Sequence, residues 1–310
     1  MNSDKPIVSI GLPFYNARAT ILECVTSILS QTLTAWELIA IDDGSTDGSA
    51  ELLANIHDSR VRLVRAGHNL GLAVRLNQLA DLATGEYLAR MDADDIMHSK
   101  RLERQVEYLR SHPDTDVVGS YAYVIDDANM IKSIRHLDSH PASYFDSVVR
   151  SLFIHPTVVA RTAWFRENRY STTTIRAEDH ELWCRTFDTS RFLTIKTPLL
   201  FYRESEHLRK EMQLASLAAD RQIYVKYGVL RLGCMPLVKP LVLNAMMVVL
   251  MHLPGIVRRT ILGWRRSDVT LSAVSLQRGR DELQASLTPP PPNMLAYESI
   301  TLHEDHAAER

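Results

Sequence analysis

The 310-residue chain is poor in cysteine: Cys24, Cys184 and Cys234 are its only three, and they stand far apart. That spacing excludes a CxxC pair and a disulfide framework, and it favours a reducing compartment. Neither sign of charge dominates, with 35 Lys and Arg against 37 Asp and Glu, a net of −2. A protein that coats nucleic acid needs a basic surplus, so no nucleic-acid partner is expected. The N-terminal MNSDKPIVSIGLPFYN lacks a basic stretch followed by an apolar one, so no secretory signal is expected. GxGxxG and GxxxxGKS/T are missing, which removes the main support for a dinucleotide-binding dehydrogenase or a P-loop enzyme. HExxH and the GxSxG nucleophile elbow are missing too.

What is present suits a globular protein. Hydrophobic residues make up 45% and charged residues 23%, enough for a buried core and unlike a disordered chain, a collagen or a coiled coil. At about 100–200 residues per domain, the length fits one large domain or two small ones. The charge is unevenly placed. Residues 228–266 hold Arg231, Lys239, Arg258, Arg259, Arg265 and Arg266 and no acid, while 267–310 carry −4. The sequence therefore divides into a mildly acidic body (1–227), a basic apolar segment (228–266) and a polar, partly disordered tail (267–310).

The body reads as alternating strands and helices. Apolar runs over Ile7–Leu12, Trp36–Ile41, Val61–Arg65, Glu86–Met91 and Asp116–Ile125 predict strands. Helical spacing predicts helices over Thr20–Leu33, from Thr46 or Asp47 to about His57, Leu72–Ala83 and Lys100–Ser111. Such alternation implies an α/β fold with a mostly parallel twisted sheet and helices on both faces. Ligands in these sheets bind beyond the carboxyl ends of the strands. Polar clusters stand at those ends here: Pro13–Asn16, Asp42–Ser45 and Asp92–Asp95.

Three acidic clusters carry the chemistry. Asp42-Asp43-Gly44-Ser45 can accept hydrogen bonds from a base or ribose, although a capping turn uses the same residue types. In Asp92-Ala93-Asp94-Asp95, alternate residues of an extended segment point the same way, so Asp92 and Asp94 can face one pocket. Three crowded carboxylates repel unless a cation offsets them, and hard oxygen donors suit Mn²⁺ or Mg²⁺; a solvated acidic turn is the plainer alternative. Glu178 and Asp179 open a helical run that Leu182 and Trp183 would anchor. A carboxylate there can serve as a general base, or simply sit well at the positive end of a helix.

Five segments in order closely resemble glycosyltransferase family 2: Pro6–Asn16, Ile41–Asp47, Asn69–Leu72, Gly85–Ile96 and Ala177–Trp183. The likeness runs from residue 6 to about residue 204. It implies a GT-A fold, a nucleotide-sugar donor, with UDP the first expectation, and inverting transfer. It places Pro13, Tyr15 and Asn16 around the nucleobase, with Asp43, helped by Asp42, on the base and Arg75 on the nucleotide. Asp92 and Asp94 match the family's DxD motif, which makes Asp94 the metal ligand and sets Asp92 near the ribose or the metal's water shell, with Asp95 in support. Asp179 matches the catalytic base, with Glu178 beside it, and Arg203 is a candidate for the diphosphate or else a surface arginine. The chain departs from the family before the base, where Glu167-Asn-Arg-Tyr-Ser171 replaces a Gly-Gly-Tyr-like element. His155 is read as structural or acceptor-lining, and Trp183 as core or pocket wall.

The segment Pro240–Val257 is apolar except for Asn244 and His252, and basic residues and Trp264 flank it. Eighteen residues lie near the lower limit for a span, so an interfacial helix pair on an anionic membrane is expected, with a buried helix as the alternative. Leu271–Leu287 predicts a short helix. The expected partners are a nucleotide sugar, a glycan or lipid-linked acceptor and the cytoplasmic face of a membrane, in the service of surface polysaccharide. A Mg²⁺-dependent phosphoryl enzyme is the chief rival, but its DxDxT/V motif sits on a first strand, whereas here the acids follow the fourth and Ile96 stands in place of Thr or Val. A non-catalytic sugar-binding module and a membrane scaffold are the other readings.

Overall fold

The computed structural model describes residues 5–137, 143–174, 176–204, 210–252 and 271–288. The chain opens with β1 (Val8–Phe14), α1 (Ile21–Leu29), β2 (Trp36–Asp42), α2 (Ser49–Ala54), β3 (Val61–Arg65), α3 (Leu72–Leu82) and β4 (Tyr87–Arg90). Next come β5 (Ile96–Met97), α4 (Arg101–Ser111), β6 (Val117–Ile125), β7 (Ile131–Arg135), α5 (Tyr144–Val149), β8 (Val159–Arg161), α6 (Thr162–Glu167), α7 (Glu178–Thr186) and β9 (Phe192–Arg203). The last third holds α8 (Lys210–Ile223), a π-helical stretch over Tyr224–Val229, α9 (Leu230–Leu232), α10 (Val238–Met251) and α11 (Ala273–Leu287).

The strands form one sheet in the order β3-β2-β1-β4-β8-β6-β9-β5, with β7 paired to β6 off that path. The first four strands are parallel, as the alternating pattern predicts. The rest corrects that expectation: β8 runs antiparallel to β4 and β6, β7 to β6, and β5 to β9, while β6 and β9 are parallel. The sheet is therefore mixed. Antiparallel neighbours need no crossover helix, so short segments such as β5 and β8 can join without the spacing that the sequence pattern tracks.

Alternating side chains give the sheet two buried faces. Val8, Ile10, Leu12, Leu38 and Ala40 pack with Ile28 of α1, Leu53 of α2 and Leu102 and Val106 of α4. Ile39, Ile41 and Leu88 face the other way, onto Leu79 of α3, Trp164 of α6 and Trp183 of α7. Helices thus cover both sides, and Trp183 is a core residue with no exposed surface. Gly85, between α3 and β4, is needed for close approach: a Cβ there would lie 2.6 Å from the backbone nitrogen of Ser9.

Helix α1 stops at Leu29 rather than Leu33. The side-chain amide of Gln31 donates instead to the His98 carbonyl, and the Thr32 N–H donates to Ser99, which draws the chain out of the helix towards the segment after β5. Helix α11 forms where expected and packs back on the body. Its Glu282 accepts from the Tyr123 hydroxyl at 2.9 Å, and Ser286 accepts from the Ser99 N–H at 3.1 Å.

Among the described residues, no helix is long and apolar enough to cross a membrane. Helix α10 has 14 residues, so it spans about 21 Å, short of a bilayer core of about 30 Å. The expected interfacial pair extends to Val257, and residues 253–270, with Pro254, Trp264 and four of the arginines, lie outside the described residues, as does the tail from 289.

Candidate active site

The carboxyl ends of β1, β2 and β4 lie side by side, with Phe14 paired to Asp42 and Gly11 to Arg90. The three polar clusters therefore share one edge of the sheet.

The first two loops are stitched together. Ser45 Oγ accepts from the Asn16 N–H at 2.9 Å, and Asn16 Oδ1 accepts from the Thr46 N–H at 2.9 Å. Asn16 holds a left-handed φ of 51°, a conformation that asparagine tolerates better than most residues. Pro13 is buried inside β1, whereas Tyr15 is half exposed at the edge. Asp42 uses its carboxylate to accept from the Ser45 N–H at 2.8 Å, which is the capping turn of the plainer reading. Asp43 is buried and accepts from the N–H groups of Leu70 and Gly71 at 2.9 Å and from Arg75 Nε at 2.6 Å. Arg75 is itself buried, and it also donates to the His68 carbonyl and to Gln78. This pair fixes the Asn69–Gly71 turn.

At the end of β4, carboxylate oxygens of Asp92, Asp94 and Asp95 lie within 4.8 Å of one another. Arg90 grips Asp92 with both terminal nitrogens, each at 2.6 Å. Asp95 is buried; one oxygen accepts from the Arg203 N–H at 2.8 Å, and the other has no hydrogen-bond partner. Asp94 reaches solvent at its edge, yet lost hydration and the Asp92 charge push its carboxyl up to about 6. Burial and the charges of Asp94 and Asp92 push Asp95 well above the usual carboxylate range. A buried carboxylate oxygen with no donor, among acids that raise one another's pKa, is what a divalent cation would satisfy. The donor set is all oxygen, so the residues fit Mg²⁺ or Mn²⁺.

Arg203 is not a surface residue. It is 9% exposed, and its guanidinium donates to the carbonyls of Asp94 and Asp126 and to Glu23. It clamps the acidic loop from below.

The fourth cluster arrives on α7, with Glu178 and Asp179 in its first turn. Burial raises the pKa of both; His180 and Arg90 oppose the rise at Asp179. Burial works against a charge on His180, but Asp220 and Cys184 push its pKa up to about 10. His180 also bonds the Ser147 carbonyl at 2.9 Å, which pins α7 to α5. Glu181, buried one turn along, accepts from Tyr227 in the π-helical stretch and from Arg185. Helix α7 is therefore tied near its start to α5 and to the π-helical stretch.

Arg90 lines a small cavity with Tyr170, and its charge is felt by Asp94 and Asp95 and also by Glu178 and Asp179, so the end of β4 and the start of α7 are neighbours. Tyr170 stands there too: it is buried, it feels Asp179, Glu178 and Asp92, and its hydroxyl lies 2.9 Å from His155 Nε2. Burial and Arg90 hold His155 well below its usual pKa, so it is neutral. A cavity of about 520 Å³ joins the Gly71 turn to Thr172, Thr174, Arg176 and Glu178. Arg176 has a left-handed φ of 68° at the entrance to α7.

Sequence reasoning passed over Arg90 and Tyr170. Arg90 carried a signal: a full charge inside the apolar run Tyr87-Leu-Ala-Arg-Met91, just before the acids, needs a counter-ion. Tyr170 carried none, because its neighbours come from distant segments.

The family model for "Glycosyl transferase family 2" matches residues 9–188. The chain belongs to glycosyl transferase family 2. It is a glycosyltransferase, and its curated relatives carry that name. EpsE of Bacillus subtilis, a glycosyltransferase by name, is 38% identical over 194 residues, covering 61% of this chain and 69% of its own. WfgD of Escherichia coli, named a UDP-Glc:alpha-D-GlcNAc-diphosphoundecaprenol beta-1,3-glucosyltransferase, is 33% identical over 121 residues, 39% of this chain and 48% of WfgD. Among solved structures, Staphylococcus aureus TarS (residues 1–349 with UDP-GlcNAc) has a TM-score of 0.57 at 16% identity, over 79% of this chain and 72% of that one. The mannosyltransferase PcManGT of Pyrobaculum calidifontis, with GDP-Man and Mn²⁺, has a TM-score of 0.57 at 18% identity, over 92% and 86%. These two likenesses speak for the fold, a GT-A arrangement.

Proposed function

We propose that this glycosyltransferase moves a sugar, with inversion, from a UDP-linked donor to a hydroxyl of a glycan or lipid-linked glycan during surface polysaccharide assembly. The observation that carries the reading is the grouping around Arg90, which forks onto Asp92 in the acidic loop after β4 and lines a small cavity with Tyr170, itself within the field of Glu178 and Asp179 in the first turn of α7. The UDP-GlcNAc in the TarS structure and the UDP-Glc and lipid-linked acceptor in the name of WfgD support the donor and acceptor class.

Tyr15 and Asn16 border the nucleobase, and Pro13 shapes the strand end beneath them. Asp43 and Arg75 hold the turn that faces the nucleotide, while Asp42 fixes the loop beside it. Asp94, with Asp92 and the unpartnered oxygen of Asp95, would hold Mn²⁺ or Mg²⁺, which offsets charge on the departing diphosphate. Arg203 keeps that loop in place. Asp179 takes the proton from the acceptor hydroxyl, and its raised pKa makes it a stronger base than a solvated aspartate. The hydroxyl oxygen bonds to the anomeric carbon as the bond to the diphosphate oxygen breaks on the opposite side. Glu178 lines the acceptor side.

Residues 1–227 form the transferase unit in this reading, with α11 of the 267–310 segment packed against it, and 228–266 its membrane-facing part. The enzyme is a peripheral protein of the cytoplasmic membrane face. A panel of nucleotide sugars with Mn²⁺, read by thermal shift and donor hydrolysis, tests it. UDP-sugars are expected to raise Tm only with the cation. A chain that neither binds nor hydrolyses any of them would sink the proposal.

A further inference from the structure

Three helices meet at His180, the residue after Asp179 in the first turn of α7. The ring is buried. Its Nε2 lies 2.9 Å from the Ser147 carbonyl of α5, and its Nδ1 lies 3.7 Å from a carboxylate oxygen of Asp220 on α8. A carbonyl and a carboxylate only accept, so each ring nitrogen faces a group that needs a proton from it. The imidazolium alone carries a proton on both. Ser147 belongs to the last turn of α5, where helix carbonyls lack partners within the helix and a cation is favoured. Cys184, one turn along α7, spends its S–H on that same carbonyl at 3.1 Å, which leaves Asp220 as the counter-ion of His180.

The pair stands close to the chemistry. Asp220 lies one turn after Ser216 on α8, and Ser216 lines the cavity that also holds Glu178. Burial favours the protonated form of Asp179, and the charges of His180 and Arg90 oppose it. The other titratable groups around Asp179 are Glu178 and Tyr170. Glu181, the next acid on α7, is matched by Arg185 at 3.1 Å and by Lys226 at 3.7 Å, so it does not cancel the imidazolium. Water reaches part of the Asp220 side chain and weakens the pair without removing it.

We propose that His180 is a positioning residue: an imidazolium held between the Ser147 carbonyl and Asp220, which fixes the first turn of α7 and keeps Asp179 in its carboxylate form. The proposal deepens the reading above and rests on it for the role of Asp179. A neutral ring has one N–H and satisfies one of the two acceptors, so loss of the charge releases α7 from either α5 or α8. The same charge that ties the three helices together thus acts on the proposed base.

The test uses the full chain with isotope-labelled histidines, read by NMR from about pH 6 to about pH 9. The His180 signal is identified by its loss in His180→Gln or, should that variant not fold, by its movement in Asp220→Asn. In the parent it is expected to keep imidazolium shifts across the range, where an ordinary histidine deprotonates. In Asp220→Asn it is expected to titrate within the range, because burial then acts without the counter-ion. A neutral His180 at about pH 8 in the parent, or one that stays charged throughout in Asp220→Asn, overturns the proposal. The kinetic arm follows hydrolysis of the UDP-sugar that thermal shift selects. His180→Gln keeps an amide donor for Ser147 and loses the charge, so the acid limb of kcat/KM is expected to move up by about one pH unit. A purely structural residue would change the height of the profile and leave the limb in place, and that outcome overturns the proposal too. A parent chain with a charged His180 that hydrolyses no donor sinks the enzyme reading and leaves the charged pair standing.

Discussion

Arg90 meets Asp92 as a fork meets a carboxylate, with 2.6 Å on each prong and the arginine almost wholly buried. The pair neutralises one of three crowded acids and sets the orientation of the loop. Lysine keeps the charge and loses the fork. Arg90→Lys is expected to cost about 1–3 kcal/mol in urea unfolding and to raise the donor KM in Mn²⁺ more than it lowers kcat. An unchanged unfolding midpoint together with an unchanged KM would show that the fork is dispensable.

Removing Asp179, the proposed base, should separate binding from chemistry. Asp179→Asn is expected to keep donor affinity by calorimetry and to slow transfer by about 10²–10⁴-fold. Full turnover in this variant would refute the assignment.

The acid limb of the rate should follow from burial. Asp179 has a folded pKa raised above its usual 3.8, because burial disfavours its charge. The proposed base is therefore protonated, and kcat/KM is expected to fall, as pH drops through a value above 3.8. The same sign applies to stability. The penalty for a buried carboxylate is absent below the ordinary carboxylate pKa and fully present above the folded one, so Asp179→Asn should melt higher at neutral pH. A variant that melts lower there, or a wild-type acid limb at the usual aspartate value, contradicts this account.

Metal dependence should reside in Asp94. Asp94→Ala is expected to weaken donor binding about tenfold or more in Mn²⁺ and to leave the weaker metal-free binding intact. Calorimetry showing the same affinity as the parent in Mn²⁺ would move the ligand elsewhere.

A glycine distant from the chemistry should matter for the fold. Gly85→Ala places a methyl 2.6 Å from Ser9 N and 2.8 Å from the Val8 carbonyl carbon, both backbone atoms that cannot rotate away. A loss of about 1–3 kcal/mol is expected by denaturant unfolding, with kcat of the folded fraction unchanged.

Local pattern carried the first half of the protein. The parallel strands β1 to β4 and the acids at their ends follow from apolar runs and polar stops, and the register that sets Phe14 beside Asp42 brings those acids together. What the pattern missed was made at long range. β9 adds parallel to β6 from some seventy residues away, and α11 returns to bond Tyr123 and Ser99. The burial of Arg203 and the seat of Tyr170 depend on partners no window of sequence contains. Periodicity also cannot tell an apolar helix packed on both sides from α10, which is covered on one side alone.

Arg203 has a consequence for how the molecule is made. Its backbone and guanidinium reach positions 95, 94, 126 and 23, so a loop whose last acid is residue 95 is secured by a strand that ends more than a hundred residues later. A nascent or truncated chain ending before β9 spells the whole DxD motif but lacks the latch that shapes it. Ribosome-stalled chains should gain cation-dependent nucleotide binding in one step, once the ninth strand has cleared the exit tunnel.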